Sequence, residues 1–163
     1  MDNVDLQPFK VLSLYSGIGG IELGLSQVIR TRTVCYCERE LSCVKVLIKR
    51  AQEGWLDEAP IYSDVATFPT EKFKDTDIIT AGFPCQPWSW ANSRGHRTGN
   101  IGEGDERNGW PDTIRIIREI RPSLVFLENV PNILNHRYFG TILGELAETG
   151  YDAEWNCFTG ADI

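Results

Sequence analysis

Apolar positions along the chain fall into two alternating rhythms. Short apolar runs at residues 10–15, 33–37, 60–62, 76–81 and 123–127 read as strands. Between them the spacing turns helical, with Ile21, Leu25, Val28 and Ile29 in one segment and Val44, Leu47 and Ile48 on one face of residues 41–51. Residues 110–121 and 133–149 are also helical in period, stopped by Pro122 and Gly150 respectively. Residues 151–158 alternate enough to predict a sixth strand. Strands alternating with helices predict an α/β fold with a mostly parallel sheet. Ligands then bind outside the carboxyl ends of the strands. Only residues 83–108 break the rhythm, as a long polar stretch, and such stretches in compact domains are usually functional.

The strand ends carry the chemistry. The first is followed by Tyr15-Ser16-Gly17-Ile18-Gly19-Gly20, where glycines permit a tight turn and a close backbone approach to a ligand. The dinucleotide fingerprint wants a third glycine where Glu22 stands, which weakens a pyrophosphate reading. The second strand ends at Glu38, whose carboxylate can accept from both ribose hydroxyls; by itself it reads as a solvated charge. The third ends near Asp64-Val65, where Asp64 suits either an adenine amino group or a local cap. The fourth opens into Gly82-Phe83-Pro84-Cys85-Gln86-Pro87, two prolines stiffening the backbone around one thiol. A free cysteine is more often a buried structural group. The fifth, entirely apolar, runs into Glu128-Asn129-Val130, which predicts a desolvated carboxyl suited to donating a proton.

Composition narrows the classes. The chain of 163 residues suits one domain, residues 1–163, and has no apolar run long enough for a membrane span. Five cysteines without a second Cys or His pair fit free thiols in a reducing compartment and no metal. A cytoplasmic protein is the expectation. A net charge of -7 argues against this chain alone gripping a polyphosphate tightly.

Taken together, the glycine loop, Glu38, Asp64, Pro84-Cys85-Gln86 and Glu128-Asn129-Val130 resemble the DNA cytosine-5 methyltransferase family across residues 10–158. Pro-Cys-Gln followed by Glu-Asn-Val is the specific part; the glycine loop is shared with many methyltransferases. The resemblance implies a Rossmann-like class I methyltransferase sheet lacking its last strand or strands, with S-adenosylmethionine as cofactor and S-adenosylhomocysteine as product. Tyr15, Ser16, Gly17, Ile18, Gly19, Gly20 and Pro84 would surround the cofactor, with Glu38 on its ribose and Asp64 and Val65 on its adenine. Cys85 would be the nucleophile, flanked by Pro84 and Gln86, with Glu128 on the cytosine ring and Asn129 orienting it. Ser89, Arg94 and Arg97 would contact DNA.

The family pattern continues past Ile163, and Ser13 stands where many members carry an acid. The resemblance therefore implies an N-terminal catalytic part, in a bacterial or phage-borne restriction-modification setting, that methylates duplex DNA weakly alone. An uncovered sheet edge would invite self-association. Two other readings stay open: a non-catalytic cofactor-binding subunit, and a Cys-dependent hydrolase using His96 or His136.

Overall fold

The computed structural model describes residues 7–84, 108–135 and 137–158. The elements run β1 (Phe9–Leu14), α1 (Gly20–Ser26), β2 (Thr31–Cys37), α2 (Leu41–Gln52), β3 (Ile61–Tyr62), β4 (Ile78–Ala81), α3 (Trp110–Ile120), β5 (Leu124–Leu127) and α4 (Tyr138–Thr149). Short 3-10 turns occupy Thr70–Phe73 and Pro131–Asn135. The strands form one sheet in the order β3-β2-β1-β4-β5, and every pairing is parallel. The order reverses at β1, from which the chain winds first toward β3 and later toward β5. That reversal opens a crevice at the carboxyl ends of β1 and β4.

β1 is covered on both faces of the sheet, and Val11, Leu12, Ser13 and Leu14 are all buried. On one face Leu12, Leu14, Cys35, Cys37, Ile79 and Ala81 pack with Trp110, Ile114, Ile117 and Ile120 of α3 and with Ile142 and Leu146 of α4. On the other, Tyr36 packs with Leu47 of α2, Leu56 and the partly buried Leu23 of α1. Helix α3 ends as Arg121 adopts a left-handed backbone ahead of Pro122. Gly150 closes α4 with φ of 94°.

Four expectations change. Residues 151–158 form no strand. Their alternation offers an apolar side, but a strand also needs a ladder partner. Tyr151 instead hands its hydroxyl to the Pro122 carbonyl at 2.6 Å, and Trp155 and Phe158 stand largely exposed. The helix expected over 133–149 divides into a 3-10 turn and α4, and α1 stops at Ser26, leaving Val28 exposed. Finally, β5 is not buried on both faces: Leu124 and Phe126 are 49% and 47% exposed. The layer formed with α1 and α2 packs on β2 and β3 and does not extend to this edge of the sheet. Among the described residues no helix is long and apolar enough to cross a membrane.

Candidate active site

The crevice is built from the exits of all five strands. Leaving β1, the chain passes through left-handed backbone at Tyr15 (φ 52°), Gly17 (φ 54°) and Gly19 (φ 79°) before α1 begins. At Gly19 a side chain is excluded twice over, since a Cβ would lie 2.5 Å from Leu56 Cδ1. At Gly17 and Gly20 nothing lies within 4 Å of a Cβ, so the loop presents open backbone.

Glu38, at the exit of β2, is tied to that loop. One carboxylate oxygen accepts from the Gly17 amide at 2.8 Å and the other from the Glu40 amide at 2.7 Å. The loop and the acid therefore form one unit, which the sequence suggested only by their spacing. Ser16 holds the underside: its Oγ accepts from the Cys37 amide at 3.1 Å and from the buried Ser13 hydroxyl at 2.8 Å.

Beyond β3, Asp64 is exposed and caps its own turn, accepting from the Ala66 amide and the Thr67 hydroxyl, each at 3.0 Å. The local cap is thus the role visible in the fold. Val65 beside it is buried, and its carbonyl accepts from Arg115 Nη2 at 2.8 Å. Arg115 also reaches the Ala66 carbonyl at 3.1 Å, so α3 braces this turn.

The exits of β4 and β5 lie side by side. The Glu128 amide donates to the Ala81 carbonyl at 3.0 Å, and the Glu128 carboxylate lies over Gly82, 3.5 Å from where a Cβ would be. Contrary to the expectation of a desolvated group, Glu128 is exposed, because it follows Leu124 and Phe126 on the uncovered face of β5. Asn129 Nδ2 donates to the Phe83 carbonyl at 3.0 Å, and Asn129 Oδ1 accepts from the Val130 amide at 2.9 Å. Its amide therefore secures the backbone just ahead of Pro84.

Pro84 is seated against Gly109 and Tyr15. A Cβ on Gly109 would fall 2.7 Å from Pro84 Cδ and 2.7 Å from Tyr15 Oη. The Tyr15 hydroxyl donates to the Gly109 carbonyl at 2.9 Å, and the Thr113 hydroxyl donates to the same oxygen at 2.8 Å. Burial, first among several influences, pushes the Tyr15 hydroxyl up to about 12, so it stays a protonated donor at neutral pH.

Cys85, Gln86, Ser89, Arg94 and Arg97 lie outside the described residues, as do His96 and His136. Cys35 and Cys37 are buried under the sheet, and burial pushes both thiols up to about 12. Neither can act as a thiolate near neutral pH. Among the described residues no cluster of His, Cys, Asp or Glu could hold a metal ion.

The sequence profile of the C-5 cytosine-specific DNA methylases matches residues 9–163. The chain belongs to that family. It is 32% identical over 166 residues to the Type II methyltransferase M1.ScrFI of Lactococcus lactis subsp. cremoris, covering 99% of this chain and 40% of that protein. It is 30% identical over 170 residues to the Type II methyltransferase M.NlaIV of Neisseria lactamica, covering 97% of this chain and 38% of that one. The family member described here thus spans about two fifths of the length of these curated relatives. A DNMT2 variant from Spodoptera frugiperda superposes with a TM-score of 0.64 at 21% identity, covering 86% of this chain and 41% of that one. A precorrin-6y C5,15-methyltransferase from Geobacter metallireducens superposes at 0.59 with 12% identity, covering 95% and 70%. These likenesses establish a Rossmann-like methyltransferase fold.

Three participants in the crevice escape the sequence reading: Glu22, which enters it only as the residue standing where a third glycine is wanted, and Gly109 and Arg115, which do not enter it.

Proposed function

We propose that this protein transfers a methyl group from S-adenosylmethionine to carbon 5 of cytosine in DNA, through a covalent bond between Cys85 and the base. The observation that carries the cofactor part is the Glu38 carboxylate bonded to the Gly17 amide. It joins a ribose-type acceptor to an open, left-handed glycine loop.

The residues present fit the cofactor. Gly17 and Gly20 leave unobstructed backbone, and Glu38 and Asp64 supply carboxylates for hydroxyl and amino donors. Nothing in the loop favours a pyrophosphate, because the first turn of α1 carries Glu22 in place of the third glycine. Tyr15 and Ser16 would line the methionine end with Ile18, Gly19 and Pro84, and Val65 the purine. When bound, S-adenosylmethionine supplies an electrophilic methyl group.

The chain's own residues account for the rest. Carbon 5 of cytosine is a weak nucleophile until the ring is activated. The Cys85 thiolate adds to carbon 6, forming the S–C6 bond and moving the displaced π electrons toward carbon 5 and ring nitrogen 3. The Glu128 carboxyl, donating its proton to nitrogen 3, offsets the negative charge that builds there. Exposure on the crevice side leaves Glu128 accessible to an incoming base. Asn129, bonded to the Phe83 carbonyl, fixes the backbone immediately before Pro84. After methylation the carbon 5 proton leaves to a base, and the electron pair of that C–H bond expels Cys85 as thiolate. Ser89, Arg94 and Arg97 would contact the phosphates around the target nucleotide, which must leave the base stack.

Calorimetry with S-adenosylhomocysteine, run beside NAD, tests the cofactor half. Binding of the first and not the second is expected, and tighter binding of NAD would overturn the reading. Methyl transfer to cytosine-containing DNA, compared with a Cys85→Ala variant, tests the chemistry. Equal transfer by both proteins would remove Cys85 from it.

A further inference from the structure

Glu22 is 4% exposed, in the first turn of a seven-residue helix. Burying a carboxylate is costly unless it is hydrogen-bonded. Its Oε1 accepts from the Thr80 hydroxyl at 2.6 Å, and Thr80 is itself wholly buried. The two residues belong to different halves of the crevice. Glu22 follows Gly20 by two positions, directly behind the glycine loop. Thr80 sits in β4, four positions before Pro84, and pairs across the ladder with Ser13 of β1. Ser13 in turn donates to Ser16, inside that same loop. The neighbouring Ile21 reaches within 3.9 Å of where a Gly82 side chain would begin.

We propose that Glu22 is a positioning residue: through Thr80 it holds the glycine loop in fixed relation to the strand that leads into Pro84. The inference rests on the cofactor reading above for its consequence, though not for its geometry. A hydrogen bond to a charged acceptor is short and strong, and this one joins α1 to β4 directly. Loosening it lets α1 shift against β4. The cofactor-facing backbone at Gly17 to Gly20 then loses its set position relative to Pro84.

The test uses Glu22→Gln, Glu22→Leu, Thr80→Val and the Glu22→Leu/Thr80→Val double variant, each held below its own unfolding transition. The first readout is calorimetric affinity for S-adenosylhomocysteine. Glu22→Leu is expected to weaken it about tenfold, and Thr80→Val by a similar factor, as for loss of a charge-assisted hydrogen bond. The double variant is expected to be no weaker than Glu22→Leu alone, because both changes remove one bond. Glu22→Gln, whose amide oxygen still accepts from Thr80, is expected to stay within about threefold of the parent. The second readout is amide exchange without ligand. Glu22→Leu should speed exchange at Thr80 and Ala81, and Thr80→Val should speed it at Gly19, each across the bond from the substitution.

Affinity unchanged in Glu22→Leu, with only a lowered melting temperature, would overturn the proposal. So would losses that multiply in the double variant, or exchange altered only on the substituted element. If the parent binds no S-adenosylhomocysteine, the cofactor reading falls and the exchange pattern alone decides the tether.

Discussion

Replacing Gly109 by alanine sets two opposed effects against each other. Its backbone is ordinary right-handed helical, φ -78° and ψ -7°, so alanine fits there without strain. Stiffening of the unfolded chain then favours the variant by about 0.4–1 kcal/mol. Against this, the new Cβ would lie 2.7 Å from Pro84 Cδ, 2.7 Å from Tyr15 Oη and 2.9 Å from Tyr15 Cζ. The ring of Pro84 cannot rotate away, and Tyr15 is held by its own bond to the Gly109 carbonyl. Overpacking of this kind costs about 1–3 kcal/mol. Losing the Tyr15 bond adds roughly 0.5–1.5 kcal/mol. The steric term wins, and the expected result is a loss of about 1–3 kcal/mol, or roughly 2–4 °C of melting temperature per kcal/mol for a chain of this size. Thermal unfolding measures it, with S-adenosylhomocysteine affinity as a second readout, since Tyr15 and Pro84 both move. A stability gain in Gly109→Ala would refute the packing argument.

The remaining predictions draw on other parts of the fold. Gly144 lies inside α4 with nothing within 4 Å of a Cβ, so Gly144→Ala should stabilise by about 0.5–1 kcal/mol in the same unfolding assay. Gly19→Ala should destabilise by about 1–3 kcal/mol, since it meets both a positive φ and Leu56, and should weaken calorimetric binding of S-adenosylhomocysteine. Tyr15 and Tyr36 are raised from 10.0 to about 12, and Cys35 and Cys37 from 9.0 to about 12, first of all by burial. For all four the folded state favours the protonated form. The stability they contribute is therefore intact below pH 9 and lost between pH 9 and 12, which urea midpoints across that range will report. In the native state a thiol reagent should label the exposed Cys157 quickly and spare Cys35 and Cys37 until unfolding, as read by peptide mass mapping.

The residues legible from sequence are those whose roles depend on local order along the chain. Tyr15 to Gly20, Glu38 and Asp64 stand at strand ends, and a strand end is set by the apolar run before it. The fold class is legible for a similar reason, because strands and helices alternate along most of the chain. Properties decided by what arrives from elsewhere were not legible. Leu124 and Phe126 look like core residues until the helices are seen to cover a different part of the sheet. Residues 151–158 have a strand's alternation, yet the described chain gives them no ladder partner. Glu128 was expected to be desolvated because its strand is apolar, and is exposed because that strand is an edge. Glu22 enters the sequence reading only as a missing glycine, and its buried bond to Thr80 comes from a strand 58 residues away.

The central claim is that Cys85 attacks cytosine, and the most direct measurement is covalent trapping on a single-stranded oligonucleotide carrying 5-fluorocytosine. A single strand removes most of the cost of extracting the base. Fluorine at carbon 5 cannot leave as a proton does, so the S–C6 bond, once formed and followed by methylation, cannot be undone by elimination. With S-adenosylmethionine present, the account predicts a denaturation-resistant complex whose peptide map places the nucleotide on Cys85, and no complex from Cys85→Ala. A complex that survives the Cys85→Ala change, or one mapped to another residue, would contradict it.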